Sequence, residues 1–270
     1  MNRPGKHASS RHKAIWAALA VIIPMLCLTG VMPAAANDVK TPWEFRFIPY
    51  AWLTGIDGDL TARGRTVEVD VDFSDVRDEL DFAGMLYLEA NNDRWGLFAN
   101  TVYAKISPDE SGPLGRVDVE TESRVIDFGF LFRLMGYREE GETLDLVLGG
   151  RYWDQQNELD FEIPVVGADR TFDASDDWID PIIGLHYDAW FSDSFGFSAW
   201  GDIGGFDMSD SSSDFTWSAQ GVFGWRVGDA FNLWAGYKAI GVDYEDGSGG
   251  DRFQLDVTLQ GPIVGIGFIF

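Results

Sequence analysis

From residue 43 onward the chain alternates between apolar and polar positions. Trp43, Phe45, Phe47, Ala51 and Leu53 are interleaved with Glu44, Arg46, Tyr50 and Trp52. Ile179, Pro181, Ile183, Leu185, Tyr187, Ala189 and Phe191 hold odd positions, while Asp180, Gly184, His186 and Asp188 hold even ones. Phe215, Trp217, Ala219, Phe223 and Trp225 alternate likewise with Thr216, Ser218, Gln220, Gly224 and Arg226. A period of two puts successive side chains on opposite faces of a β-strand. Strands are predicted at about 43–55, 83–91, 95–106, 117–134, 143–155, 179–191, 195–206, 214–226, 231–243 and 252–270.

The connections alternate too. Those near 92, 138, 193 and 228 are mostly tight, and those near 68, 111, 167, 210 and 248 are mostly longer and acidic. Residues 56–81 read as a long loop with room for a hairpin and for a short helix capped by Ser74, and 156–178 as a second long acidic segment. Short turns at one end and long loops at the other describe a transmembrane β-barrel. The fold predicted is all-β: an antiparallel up-and-down barrel of about ten strands, with eight or twelve as the alternatives.

The polar face is rich in Gly and Ser with a few charges of both signs, which suits a crowded interior better than a solvated exterior. Turned inward, it gives a lumen holding Glu44, Arg46, Tyr50, Glu89, Asp127, Arg133, Asp145, Arg151, Asp180, His186, Asp188, Asp202, Gln220, Arg226, Lys238 and Asp256. Charges withdrawn from water need partners. A barrel of this size lies near the side-chain-filled limit. A ladder of ion pairs filling the lumen is therefore expected, with a narrow cation-preferring channel as the alternative. Trp43, Trp95, Trp190, Trp217 and Trp225 fall near strand ends on the apolar face, where interfacial girdles form.

The last strand changes phase. Phe253, Leu255, Val257 and Leu259 are odd; after Gly261-Pro262 the large apolar residues Val264, Ile266, Phe268 and Phe270 are even. A shift of one residue moves every side chain to the other face. A β-bulge is expected at Gly261-Pro262, with 262–270 spanning the membrane beside 43–55 and 252–260 projecting beyond it.

Composition narrows the class. Arg3, Lys6, Arg11 and Lys13 precede the apolar run 14–31 and the small residues Ala34-Ala35-Ala36. This reads as a signal peptide over 1–36, leaving one barrel domain over 37–270. That segment also contains Cys27, the only cysteine. Disulfides and thiolate chemistry are thereby excluded from the remainder. No later stretch approaches the ~20 apolar residues of a spanning helix. A net charge of -24 argues against nucleic acid as a partner. It favours cations instead, and Asp57, Asp59, Asp70 and Asp72 in the first long segment are candidate oxygen ligands for a divalent ion. Their spacing matches no EF-hand loop. Asp160, Asp169, Asp173, Asp176 and Asp177 form a second acidic group.

His186 is the only histidine after residue 12, and Asp188 shares its face. An Asp–His pair can activate water or a hydroxyl. Its mid-strand position, below the mouth of the lumen, points instead to an interior histidine with satisfied polar contacts.

The terminal strand GPIVGIGFIF, ending on Phe270, resembles the C-terminal sorting signal of bacterial outer-membrane β-barrels. The segments GRTVEVDVDFSDVRDELDFAGM and LQGPIVGIGFIF are similar to those of a group of such proteins, of the size of the OmpA and omptin barrels. The resemblance spans 43–270 at the level of architecture. It implies a Gram-negative outer membrane, outer-membrane lipid around the barrel, and delivery by the barrel assembly machinery through the strand ending in Phe270. It carries no activity or cofactor to particular residues. A protease like the omptins would hold its catalytic pair at the outer rim. The phospholipase and deacylase barrels use His–Ser arrangements, and no His-x-Ser occurs after residue 36. A non-enzymatic barrel of structural, surface or narrow-channel role is the expectation. An outer-membrane hydrolase and a soluble periplasmic ligand-binding barrel are the alternatives.

Overall fold

The structure is a computed structural model describing residues 43–270 except 63–64, 72, 74–79, 93, 107–108, 113–114, 138–140, 164–167, 209–211, 228–230 and 248–252. The expected signal peptide, Ser74 and Asp72 lie outside the described residues.

The alternating segments form strands β1 (Glu44–Trp52), β2 (Gly55–Ala62), β3 (Arg65–Val71), β4 (Leu80–Asn91), β5 (Trp95–Ile106), β6 (Asp109–Gly112), β7 (Gly115–Tyr137), β8 (Glu142–Ile163), β9 (Ala168–Trp190), β10 (Phe195–Gly205), β11 (Phe215–Val227), β12 (Phe231–Asp246) and β13 (Phe253–Ile269). Ten of them close a ring in the order β1-β4-β5-β7-β8-β9-β10-β11-β12-β13, and β13 returns to β1. Every pairing is antiparallel. Closure leaves the ring without a free edge. β2 and β3 form a hairpin that adds to β13, and β6 folds back on β7.

The start of β1 and the ends of β4, β7, β9, β11 and β13 lie at one end, called lower here. The connections at the upper end are shorter than the sequence suggests, because the strands continue into them. β7, β8 and β9 run for 23, 22 and 23 residues. About 9–11 residues cross a bilayer. The acidic stretch 156–178 is mostly paired strand, with Asp160 opposite Thr171 and Asp173 opposite Glu158.

The lower and middle outer wall is apolar. Phe128, Phe130, Phe132, Leu134, Ile179, Ile183, Leu185, Phe223, Trp225, Leu233, Val264, Ile266 and Phe268 all stand exposed around the ring. A water-soluble monomer seldom exposes so continuous an apolar surface, so this belt is read as the lipid-facing wall. Trp95 and Trp225 lie on it, and Trp43 meets Trp95 edge-on at 4.7 Å. Trp190 does not join the girdle. Its phase on β9 is that of Asp188 and His186, and it packs against interior Trp234.

The expected bulge at Gly261-Pro262 is absent. β12 pairs through it in unbroken register, Lys238 with Gly261 and Tyr237 with Pro262. β13 keeps one phase throughout: Val257, Gly261, Ile263 and Gly267 are buried, while Asp256, Gln260, Val264 and Ile266 are exposed. Leu255, Val257 and Leu259 therefore point inward and Asp256 outward, the reverse of the sequence expectation. What changes at Pro262 is the medium outside the wall and the neighbouring strand. Residues 253–260 pair with β2, and 263–269 with β1. A Cβ on Gly261 would lie 1.9 Å from the Leu53 carbonyl, so the junction of β1 and β2 needs glycine there. Register shifts fall instead on β4, between Leu80 and Phe82, and on β7, between Arg133 and Met135, the latter leaving Leu134 and Met135 both exposed.

Candidate functional site

Inward phase brings most of the predicted lumen charges together in two clusters. In the lower one, Arg46 on β1 donates to Asp188 on β9 at 2.9 Å and to Glu44 at 3.0 Å, with Glu89 at 3.9 Å. β1 and β9 lie five strands apart in either direction, so the Arg46–Asp188 pair crosses the full width of the barrel. Glu89 also accepts from Tyr87 and Asn91. Arg133 holds Asp145 through two nitrogens. Above this lies an apolar layer of Phe98, Leu131, Val147 and Ile182, flanked by Tyr87 and Trp200.

The upper cluster centres on Arg151, which has no solvent exposure. Its guanidinium donates to Asp127 at 2.7 Å, to Asp202 at 3.0 Å and to Thr216 at 3.1 Å. Asp127 also accepts from Asn100, and Asp202 from Trp200 and Ser218. The chain continues from Asn100 to Tyr50 at 2.8 Å and from Tyr50 to Lys238 at 3.3 Å. Seven strands are thus joined across the lumen. Asp180 accepts from Trp153 and twice from Ser213, and Trp178 donates to the Ser213 hydroxyl. A buried charge is tolerated when its remaining hydrogen-bonding capacity is met, and these carboxylates each have several donors.

Over this cluster sits an aromatic roof. Trp178 stacks on Tyr244 at 3.9 Å and on Trp153 at 5.7 Å. The Tyr244 hydroxyl donates to Asp176 at 2.9 Å. Burial raises both the Asp176 carboxyl and the Tyr244 hydroxyl above their ordinary pKa values.

Two predicted residues stand elsewhere. Arg226 has inward phase but sits exposed at the lower rim, donating to the Asp193 carbonyl and lying 4.4 Å over the Trp190 ring. Asp256 faces out beside Asp59. Asp57 opposes Asp70, and Asp59 opposes Glu68, all exposed on the outer face of the β2–β3 hairpin. Among the described residues no group of three His, Cys, Asp or Glu is arranged to hold a metal ion.

His186 has acquired a neighbour that sequence reasoning missed. Ser198, opposite Asp188 on β10, places its hydroxyl 3.1 Å from His186 Nε2. Asp188 approaches the same nitrogen at 3.5 Å, and Nδ1 has no partner among the described residues. A nucleophile-base-carboxylate relay uses both ring nitrogens, one for the hydroxyl and one for the acid. Here both converge on one. The sequence puts Thr216 and Ser218 on the polar face of β11 with Arg226 but does not join them to the charges, while Asn100 and Ser213 were missed, Ser213 because it precedes β11 and has no strand phase to follow.

Between the two clusters is a cavity of about 90 Å³ lined by Tyr50, Tyr87, Phe98, Asn100, His186, Trp200, Gln220, Trp234 and Lys238 among others.

A closed ten-stranded ring with an apolar outer belt and a charged core defines a transmembrane β-barrel. No protein-family model and no curated protein matches the chain. Among solved structures it is similar to the outer membrane protease OmpT from Escherichia coli, at 13% identity and a TM-score of 0.51, over 85% of this chain and 98% of that one. The translocator domain of the autotransporter NalP from Neisseria meningitidis matches at 12% identity and a TM-score of 0.46, over 98% of this chain and 99% of that one. Ail, the attachment invasion locus protein of Yersinia pestis, matches at 13% identity and a TM-score of 0.36, over 84% and 98%. The likeness to OmpT is one of fold: an outer-membrane-type β-barrel.

Proposed function

We propose that this chain is a non-enzymatic outer-membrane barrel, closed to through-passage, that serves as a rigid support for its upper extension. The observation that carries the reading is the Arg46–Asp188 pair, which joins opposite strands at 2.9 Å. Arg151 and the Trp153–Trp178–Tyr244 stack lie above it. Moving an ion through would require separating pairs held in a low-dielectric interior, at several kcal/mol per charge. The single-nitrogen geometry at His186 supports a structural role for that residue. The exposed terminal Phe270 supports delivery by the barrel assembly machinery. The acidic outer face of β2 and β3 is where divalent cations would gather. Planar-bilayer recording of the purified protein tests the closed lumen. A flat trace at physiological voltages is expected, and discrete steps of reproducible size would overturn it.

A further inference from the structure

The cavity between the charge clusters shares Tyr50, Trp234 and Gly265 with a groove on the lipid-facing wall, whose other walls are Pro49, Ala51, Trp225, Leu233, Ala235, Val264 and Ile266. The wall between the two spaces is β13 with its neighbours β1 and β12, and its weakest seam is β1–β13. That seam is the one sewn with prolines on both sides. Pairing runs from Arg46–Ile269 to Phe47–Phe268, stops, and resumes at Tyr50–Gly265. The interruption falls at Pro49, which has no N–H to give to β13. Leu53 donates to the Pro262 carbonyl at 2.9 Å, and Pro262 cannot return the bond. At Gly265 the wall also lacks a side chain.

Two residues that line the cavity carry unmet polar atoms, buried behind its surface. His186 Nδ1 and Trp234 Nε1 have no hydrogen-bond partner among the described residues, and the His186 side chain is 7% exposed. Five aromatic side chains line the same space: Tyr50, Tyr87, Phe98, Trp200 and Trp234.

We propose that the β1–β13 seam beside Pro49 is a lateral portal, and that the cavity binds a small uncharged molecule of one ring bearing a hydroxyl, taken from the bilayer. Passage through hydrocarbon selects against charge. The charged residues facing the cavity, Arg46, Asp127, Asp188 and Lys238, already have partners, the Lys238 ammonium donating to the Tyr50 hydroxyl, so a neutral guest disturbs none of them. A hydroxyl both donates and accepts, so it can serve His186 Nδ1 or the Trp234 indole N–H. The aromatic lining suits a ring face or edge. The volume of about 90 Å³ limits the guest to a single ring. The proposal rests on the lumen being closed at its ends, since an open lumen would make the portal unnecessary.

Phenol is the probe. The full chain carrying Cys27→Ser is incorporated in lipid nanodiscs with 15N-tryptophan, and the Trp234 indole signal is assigned by loss in Trp234→Phe. Phenol should shift that signal saturably, while the signal of lipid-facing Trp95, away from the groove, drifts without saturating. Pro49→Ala restores a donor to the seam and should slow exchange between free and bound forms severalfold. A disulfide between Ala51→Cys and Val264→Cys, which are paired across the seam, should slow it at least tenfold, with recovery on reduction. A Trp234 signal that does not move overturns the binding site. Saturable binding whose exchange ignores both seam variants overturns the portal. If conductance steps accompany that second result, it is the closed-lumen reading that has failed.

Discussion

The lower belt and the upper extension are built from the same strands in the same register, yet their chemistry is opposite. Along β12 the inward side chains are Asn232 and Lys238 below, then Ile240, Val242 and Tyr244 above. The outward ones are Leu233 and Tyr237 below, then Glu245 above. β8 repeats the change from inward Asp145 and Arg151 to inward Trp153, and from outward Leu148 to outward Gln156. β13 repeats it from outward Ile266 and Val264 to outward Gln260 and Asp256. The backbone does not change phase at the boundary; the solvent does. Lipid outside requires an apolar exterior and leaves polar groups to satisfy one another within. Water outside restores the ordinary arrangement, and the apolar cluster of Trp52, Val125, Trp153, Trp178, Val242, Tyr244 and Val257 becomes the core. Directional pairs dominate the lower interior on either side of its one apolar layer, and apolar burial dominates the upper.

The largest test of this contrast is Arg151→Ala. It strands Asp127 and Asp202 in the lower half's charged interior and should cost about 3–5 kcal/mol, read as a lowered urea midpoint for the barrel refolded in liposomes. Next is a matched pair on the outer face. Phe130→Arg, near the middle of the belt, should cost about 2–4 kcal/mol. Gln260→Arg, outward on the extension, should stay within about 0.5 kcal/mol. Equal costs would show that the belt ends elsewhere. Tyr244→Phe removes the hydrogen bond to Asp176 while keeping the ring stack, and should cost about 1 kcal/mol. Hydrogen exchange in the upper parts of β9 and β12 should rise while the lower halves stay protected.

The smallest effect concerns pH. The Asp243 carboxyl is raised above its ordinary value by burial, and then by the nearby charges of Asp256 and Asp214. A carboxyl raised on folding favours the folded state when protonated. The gain is complete below its unfolded value, near pH 4, and is lost as pH rises through the folded value. The extension should therefore become more stable as pH falls from neutral toward 4. Asp243→Asn should flatten that slope and add at most about 0.5 kcal/mol at pH 7, because the group is largely solvated. Limited proteolysis of the extension across that pH range measures both.

The architecture was legible because alternation persists for so long. Segments such as 195–206 and 214–226 could be placed within a residue or two, and the ring of ten follows from counting them. The inward phase of Arg46, Glu89, Asp127, Arg151, Asp180, Asp188, Asp202 and Lys238 also follows from their lower-half neighbours. The error in the last strand came from treating "apolar" as meaning "outward" along its whole length. That rule holds only where lipid is outside, so Leu255, Val257 and Leu259 were turned the wrong way. The acidic stretch 156–178 read as loop for a related reason. Most of it is paired strand of β8 and β9, whereas acidity with turn residues ordinarily signals irregular chain.

By itself, then, the sequence determined the period of two, a count of about ten crossings and, in most strands, which residues share a face. Only the tertiary structure decided which face is inside at each height, because that depends on the medium beyond the wall. It also decided which charges meet. Arg46 and Asp188 are 142 residues apart in the chain and touch only because ring closure sets β1 opposite β9. Ser198 reaches His186 only through the register of β9 on β10. Pro49 and Pro262, unremarkable 213 positions apart, come to share one seam for the same reason: the last strand must pair with the first.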